Sequence, residues 1–115
     1  MKSKIGDKQR LIHILEAINE IESYIMDVAI EDFMANSMMR FASIKQLEII
    51  GEAANYLSDD IKELYSEVEW NQIIGMRHIL VHEYFGIDTT LIWQIIRNDI
   101  PVLKKKTEKI LELQP

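Results

Sequence analysis

The sequence predicts an all-α protein, an up-and-down helical bundle of four main helices plus a short helix. Only 4 Gly and 2 Pro occur among 115 residues, although the many turns of an all-β domain are built largely from such residues. Apolar residues recur at steps of three and four along nearly the whole chain, which is typical of helices with one buried face. The length and the 48% hydrophobic content fit a single domain over residues 1–115 with a substantial core.

The first half of the chain predicts two long helices. The first runs from about 7 to 27, with Asp7 as its N-cap. Along it, apolar residues recur at steps of three and four, at Leu11, Leu15, Ile18, Ile21 and Ile25. The mixed segment IEDFMANS follows as a connector with one helical turn. The second helix runs from about 37 to 57. Its apolar face is formed by Leu47, Ile50, Ala54 and Leu57, and continues upstream through Phe41 and Ile44.

The second half predicts a short helix and two further main helices. Asp60 and Glu63 have the spacing of a capping box, which indicates a short helix at about 60–65. A third main helix follows at about 69–84, and Gly86 is placed where a left-handed cap ends such a helix. Asp88 caps the last helix, which Pro101 should interrupt and kink because proline donates no hydrogen bond to residue 97.

Composition excludes several classes of protein. The chain has no cysteine, so disulfides, thiolate catalysis and cysteine-bound zinc are ruled out. No apolar run approaches the ~18 residues of a membrane span. The polar start MKSKIGDKQR does not predict a secretory signal, so the cytoplasm is the expected compartment.

The charge distribution allows only a local site for anions. A net charge of −6 argues against a protein that coats DNA or RNA. The acidic residues are concentrated, however, in residues 11–32 and 58–69, whereas 1–10 and 89–115 carry net positive charge. The run Lys104–Lys106 is either a solvated face or a patch that steers RNA.

The third helix carries the residues best suited to chemistry, in the segment IIGMRHILVHEYFG. Arg77, His78, His82 and Tyr84 stand among apolar neighbours, and burying such groups is costly unless they are paired or face a cleft. We therefore expect the segment to line a groove or an interface. Arginine can clamp a phosphate, histidine can transfer a proton, and RNA supplies its own 2′-OH as nucleophile. The set suits phosphodiester cleavage.

Helical geometry limits how these residues can meet. Arg77 and Tyr84 are roughly 20° apart around a straight helix, but Arg77 and His82 are roughly 140° apart. Their meeting requires that the arginine stem wraps round, that the helix loosens before Gly86, or that the arginine of one chain meets the histidine of another.

Each residue also has a purely structural interpretation. Arg77 could be a buried clamp to Glu48 or Glu52, and Tyr84 could simply pack. His78 and His82 have the i, i+4 spacing of zinc ligands. No Glu follows the first histidine as in HExxH, however, and no third ligand is evident, so no metal is expected.

The string RHILVHEY has the pattern R-x4-H-x-Y and resembles the signature of the HepT family of HEPN domains. The blocks RLIHILEAINEIESY, QLEIIGEAANYLS and IWQIIRNDIPVL also look like that family, in the same order, over about residues 8–112. The resemblance implies a helical bundle that forms a homodimer with paired motifs in a shared cleft. It also implies a metal-independent endoribonuclease that needs no cofactor.

The resemblance further implies a toxin of a toxin–antitoxin pair. Its partner would be MntA, a minimal nucleotidyltransferase that silences the toxin by transferring AMP from ATP to the motif tyrosine. By this resemblance Arg77 and His82 are the catalytic pair, and Tyr84 is the adenylylated residue. His78 departs from the Asn or other polar residue common at that position, and could support phosphate binding. The alternative is a non-catalytic helical module that pairs with a nucleotidyltransferase or binds nucleotide.

Overall fold

The computed structural model describes residues 4–82 and 88–114, and all regular structure in these ranges is helical. Side chains are described over 6–76, at Leu80 and over 88–114. The helices are α1 (Lys4–Ile25), α2 (Ile30–Ala35), α3 (Ser37–Asn55), α4 (Asp59–Leu64), α5 (Trp70–His82), α6 (Thr89–Gln94) and α7 (Ile100–Leu113). The all-α class is therefore confirmed. The expected single turn of the connector is α2, and the expected short helix is α4.

The core forms where α1, α3, α5 and α7 pack against one another. Helix α3 lies between α1 and α5 and packs against both, while α7 packs against α1. Fully or almost fully buried side chains from these helices include Leu11, Ile14, Ile18, Ile21, Leu47, Ile50, Ala54, Ile100, Leu103 and Ile110. The small residues Gly51, Ala53 and Ala54 of α3 are all buried, which allows its neighbours to approach closely. Phe41 is the exception to the predicted apolar face, because its side chain is 64% exposed.

Helix α2 is attached to the bundle by aromatic packing. Phe33 is completely buried, and its ring centroid lies 5.0 Å from that of Trp93 on α6. The guanidinium of Arg97 lies 5.0 Å from the centroid of the same indole ring. This cluster joins the connector between α1 and α3 to the C-terminal helices.

The last helix does not stop at Pro101 but changes its hydrogen-bonding pattern before it. Ile95–Asp99 form a π-helical segment between α6 and α7, and the Ile100 N–H donates to the carbonyl of Ile95, five residues back. Pro101 then falls in the first turn of α7, where a missing N–H costs little. The predicted cap at Asp88 is confirmed, since its carboxylate accepts from the Leu91 N–H at 3.2 Å.

Two other predicted caps are wrong. Helix α1 begins at Lys4, so Asp7 lies inside it, and Ser58 rather than Asp60 caps α4 through a 3.3 Å bond from Ile61 N–H. Asp7 instead accepts two hydrogen bonds from Ser58, 2.8 Å from its N–H and 2.6 Å from its hydroxyl. The carboxylate, in a residue only 4% exposed, joins α1 to the start of α4.

Removing this carboxylate should destabilise the fold. We expect Asp7→Ala to lower the free energy of unfolding by about 2 to 3 kcal/mol, because the Ser58 donors lose a charged acceptor. Urea denaturation followed by circular dichroism measures the change. Glu16→Ala on the exposed side of α1 is the control, and we expect it to change stability by less than about 0.5 kcal/mol. Equal effects of the two substitutions would contradict a bridging role for Asp7.

Two buried hydroxyl groups have no hydrogen-bond partner among the described residues, those of Ser43 and Thr107. A buried donor without a partner keeps its desolvation cost. We therefore expect Thr107→Val, which preserves the shape of the side chain, to leave the free energy of unfolding unchanged or to raise it by up to about 1 kcal/mol. Thr107→Ser keeps the hydroxyl and removes a methyl group, so it should lower stability by about 0.8 kcal/mol. A loss of stability in Thr107→Val would show that the hydroxyl is bonded.

The basic run on α7 is largely engaged in contacts within the chain. Lys104 Nζ lies 2.6 Å from Glu22 Oε1 on α1, and this hydrogen bond raises the pKa of the lysine. Lys106 Nζ donates to the Glu67 carbonyl at 2.9 Å. These contacts favour a structural use of two of the three lysines over a patch that steers RNA.

Candidate functional site

The motif helix, α5, is anchored at its first residue. Trp70 is 6% exposed, and its indole N–H donates to the Tyr65 carbonyl at 3.1 Å. From this anchor the helix packs along α3 and carries Arg77, His78 and His82 in its second half. Tyr84 and Gly86 lie outside the described residues, as do the side chains of the three motif residues on α5.

The backbone of α5 excludes one of the three routes by which Arg77 and His82 could meet. The helix is α-helical without interruption from Trp70 to His82. The two residues therefore keep the separation of roughly 140° that α-helical geometry gives them. Loosening of the helix between them is excluded, which leaves wrapping of the arginine stem or a meeting between two chains.

The alternative partners of Arg77 lie on the neighbouring helix. Glu48 and Glu52 are both on α3, which packs against α5. The Glu48 side chain is 29% exposed, and its Oε2 lies 4.0 Å from Lys45 Nζ. A clamp between Arg77 and either glutamate stays a prediction, because the arginine side chain is outside the described ones.

One face of α5 lines an apolar groove with a volume of about 620 Å³. Ile73, Met76 and Leu80 form its α5 wall. The opposite wall includes Leu91, Ile95, Val102 and Leu103 from α6, the π-helical segment and α7. A side chain added at Gly75 would meet nothing within 4 Å. Met76 directly precedes Arg77, and Leu80 lies between Arg77 and His82, so this part of α5 lines a groove. Which side chains of the motif face it stays a prediction.

A second, polar pocket of about 400 Å³ lies between α1 and α3. It is lined by Arg10, His13, Lys45, Glu48, Ile49, Glu52 and Ala53. Arg10, His13 and Lys45 belong to no motif in the sequence. Their only signal is the spacing of three or four residues along each helix, and nothing in the sequence says that these two helix faces adjoin.

Other kinds of site are not evident in the part of the chain that the structure describes. No group of three His, Asp or Glu side chains there is placed to hold a metal ion. None of the described helices is long and apolar enough to cross a membrane.

Comparisons with known proteins agree on one family. The "Ribonuclease HepT-like" family model matches residues 14–110. "Putative RNase MJ1380" of Methanocaldococcus jannaschii is 42% identical over 106 residues, which cover 92% of this chain and 97% of that protein. "Probable ribonuclease HepT" of Thermococcus cleftensis is 41% identical over 107 residues, or 93% and 97%. No solved structure matches the chain.

The family match and the relatives extend over nearly the whole bundle, from α1 to α7. They include the helix with the R-x4-H-x-Y pattern as well as the helices that position it. The resemblance seen in the sequence is thus confirmed at the level of the family. This chain belongs to the HepT-like ribonuclease family.

Proposed function

We propose that this protein is the toxin of a HepT/MntA-type toxin–antitoxin system and acts in the cytoplasm as a metal-independent endoribonuclease. The observation that carries the proposal is an intact R-x4-H-x-Y pattern, with Arg77 and His82 on α5, within a family match that covers residues 14–110. We assign the activity to one HepT-like domain that spans the chain.

The chemistry uses groups that Arg77, His82 and the substrate can supply. His82 takes the proton of a ribose 2′-OH, and the resulting oxygen attacks the adjacent phosphorus. The P–O5′ bond breaks, the leaving O5′ takes a proton from water, and a 2′,3′-cyclic phosphate remains on the other fragment. Arg77 binds the phosphate oxygens and offsets the charge that develops on them. His78, next to Arg77, supports phosphate binding.

We place the catalytic pair across a homodimer. Because α5 stays helical through His82, an arginine and a histidine that are roughly 140° apart reach one phosphate more easily from two chains than from one. The partly exposed side chains of Ile73 and Met76 line the apolar groove just before the motif. Such apolar side chains are typical of surfaces that become buried on association.

Mixing two inactive variants tests the dimeric site. We expect Arg77→Ala and His82→Ala each to be inactive alone. After they are denatured together and refolded, RNA cleavage should recover to about one quarter of the wild-type rate. Half of the dimers are then mixed, and each mixed dimer has one intact site out of two. Cleavage of a labelled RNA gives the rate.

The matched control for this mixture uses one variant refolded with the double variant. Arg77→Ala combined with the chain that carries both substitutions cannot build an intact site in either arrangement, so it should stay inactive. If the first mixture also stays inactive although mixed dimers form, the pair acts within one chain.

Silencing is proposed to occur at Tyr84. The phenolic oxygen attacks the α-phosphorus of ATP on an MntA-type nucleotidyltransferase, pyrophosphate leaves, and the phenolic proton is lost. The product is a tyrosine–AMP phosphodiester. It adds a negative charge and a nucleoside seven residues after Arg77 in the sequence, and we propose that these compete with RNA for the arginine.

The acidic character of the chain favours a second candidate function. A net charge of −6 is unusual for an RNA-binding protein and would suit a non-catalytic module that pairs with a nucleotidyltransferase or binds nucleotide. This candidate predicts a tight complex that is unaffected by Arg77→Ala and His82→Ala, with no RNA cleavage by the wild-type chain.

A further inference from the structure

We propose that the polar pocket between α1 and α3 binds one unstacked base of the RNA substrate and that it prefers guanine. The inference rests on the proposed ribonuclease function. The pocket volume of about 400 Å³ is ample for a base. Its lining combines cationic, anionic and apolar side chains, and a nucleobase likewise combines a flat apolar face with a polar edge.

Arg10, on the α1 side of the pocket, is in contact with an aromatic ring. The guanidinium carbon of Arg10 lies 5.0 Å from the centroid of the Tyr56 ring, so the two groups form a cation–π pair. Arg10 is partly buried and also lines the pocket. Arginine planes and aromatic rings are the surfaces on which proteins stack single-stranded RNA bases. The contact with the Tyr56 ring thus holds Arg10 in place to act as such a surface.

The other side of the pocket offers acceptors. Glu48 and Glu52 contribute carboxylates from successive turns of α3, and an ionised carboxylate only accepts hydrogen bonds. Guanine presents two adjacent donors, N1–H and the 2-amino group, which one carboxylate can accept together. Uracil presents a single N–H between two carbonyl oxygens. The pocket should therefore favour guanine and disfavour uracil.

The entrance of the pocket is suited to the phosphate next to the bound base. The Lys45 side chain is 69% exposed, and its Nζ is 4.0 Å from Glu48 Oε2, at the long limit of an ion pair. It can move towards a phosphate at little cost. His13 lines the same pocket and forms a 3.1 Å hydrogen bond with the Gln9 amide.

The pocket and the motif helix share α3 as a neighbour. This helix packs against α1 on one side and α5 on the other, and both glutamates belong to it. We infer that a strand whose phosphate binds Arg77 on α5 crosses α3 and reaches the pocket. The pocket therefore acts as a specificity subsite for the proposed cleavage rather than as a separate centre.

The test measures binding without cleavage. Fluorescein-labelled hexanucleotides with 2′-O-methyl riboses, which have no free 2′-OH, are titrated with the full chain and followed by anisotropy. Three strands are compared, which differ at one central base that is guanine, hypoxanthine (the base of inosine) or uracil. Inosine lacks only the 2-amino group, so we expect it to bind about tenfold more weakly than guanine because one charge-assisted hydrogen bond is lost.

Protein variants locate the preference in the pocket. The Glu48→Gln, Glu52→Gln double variant should reduce the ratio between guanine and inosine to near one. The Glu63→Gln, Glu112→Gln variant makes the same charge change at exposed positions outside the pocket and should keep the ratio. Arg10→Lys keeps the charge but removes the plane, so it should weaken binding of every base.

The outcomes separate this proposal from the proposed function. Equal binding of the three strands, or an unchanged ratio in the double variant, overturns the base pocket even if the chain cleaves RNA. A guanine preference in a chain that cleaves no RNA supports the pocket and refutes the ribonuclease. GMP that competes as tightly as the guanine strand would identify a free nucleotide as the ligand and overturn the RNA subsite. A glutamate that only holds Arg77 would instead slow cleavage of all RNAs equally.

Discussion

Replacing His82 with alanine is expected to lower the rate of RNA cleavage by about 10²- to 10⁴-fold, the usual contribution of a general base or acid. The imidazole is the one group in the proposed pair that can take the 2′-OH proton near neutral pH. Single-turnover cleavage of a 5′-labelled RNA, with protein in excess, measures the chemical step without product release.

Asn71→Ala is the matched control for this experiment. Asn71 is exposed on the first turn of the same helix and lies outside both pockets, so its loss should leave the rate unchanged. Partial recovery of His82→Ala by added imidazole would assign the loss to the missing ring. Equal rates in His82→Ala and wild type would remove His82 from the mechanism and favour the binding module.

The positions of the helices could be predicted from the sequence because they depend on local features. Apolar spacing locates α1, α3 and α5 to within a few residues, and the side chain of Asp88 caps α6 as expected. Where the sequence predicts that Pro101 interrupts and kinks the last helix, the π-helical segment Ile95–Asp99 interrupts the α-helical pattern just before it.

Features that depend on contacts between distant parts of the chain could not be predicted. Asp7 has the residue type and position of an N-cap, but its hydrogen-bond partner is Ser58, 51 residues away. Phe41 continues the apolar spacing of α3, and its side chain is nevertheless 64% exposed. The polar pocket likewise depends on which faces of α1 and α3 adjoin.

The candidate site divides in the same way. Its residue types are visible in the sequence because Arg77, His78 and His82 all lie on one helix at fixed spacing. How the arginine and the histidine meet is not local, since one straight helix holds them on different faces. The spacing alone therefore indicates that Arg77 and His82 cannot meet directly on one straight helix. Because α5 is uninterrupted, either the arginine side chain wraps round the helix or the two residues come from two chains.

Modification of Tyr84 is expected to silence the protein almost completely. Incubation with the cognate nucleotidyltransferase and ATP should raise the intact mass by one AMP unit or more and reduce RNA cleavage to the level of His82→Ala. The reason is that the added phosphodiester and nucleoside occupy the surroundings of Arg77, where the substrate phosphate must bind. Mass spectrometry and the cleavage assay are performed on the same sample.

Tyr84→Phe separates modification from complex formation. It removes only the phenolic oxygen, so it should gain no mass, stay active in the presence of ATP and still bind the nucleotidyltransferase. If wild type also gains no mass but loses activity in a stable complex, neutralisation occurs by binding alone. In that case the partner covers the cleft, and activity should return when the complex is diluted below its Kd. A covalent block at Tyr84 would persist after dilution, so this difference distinguishes the two forms of silencing.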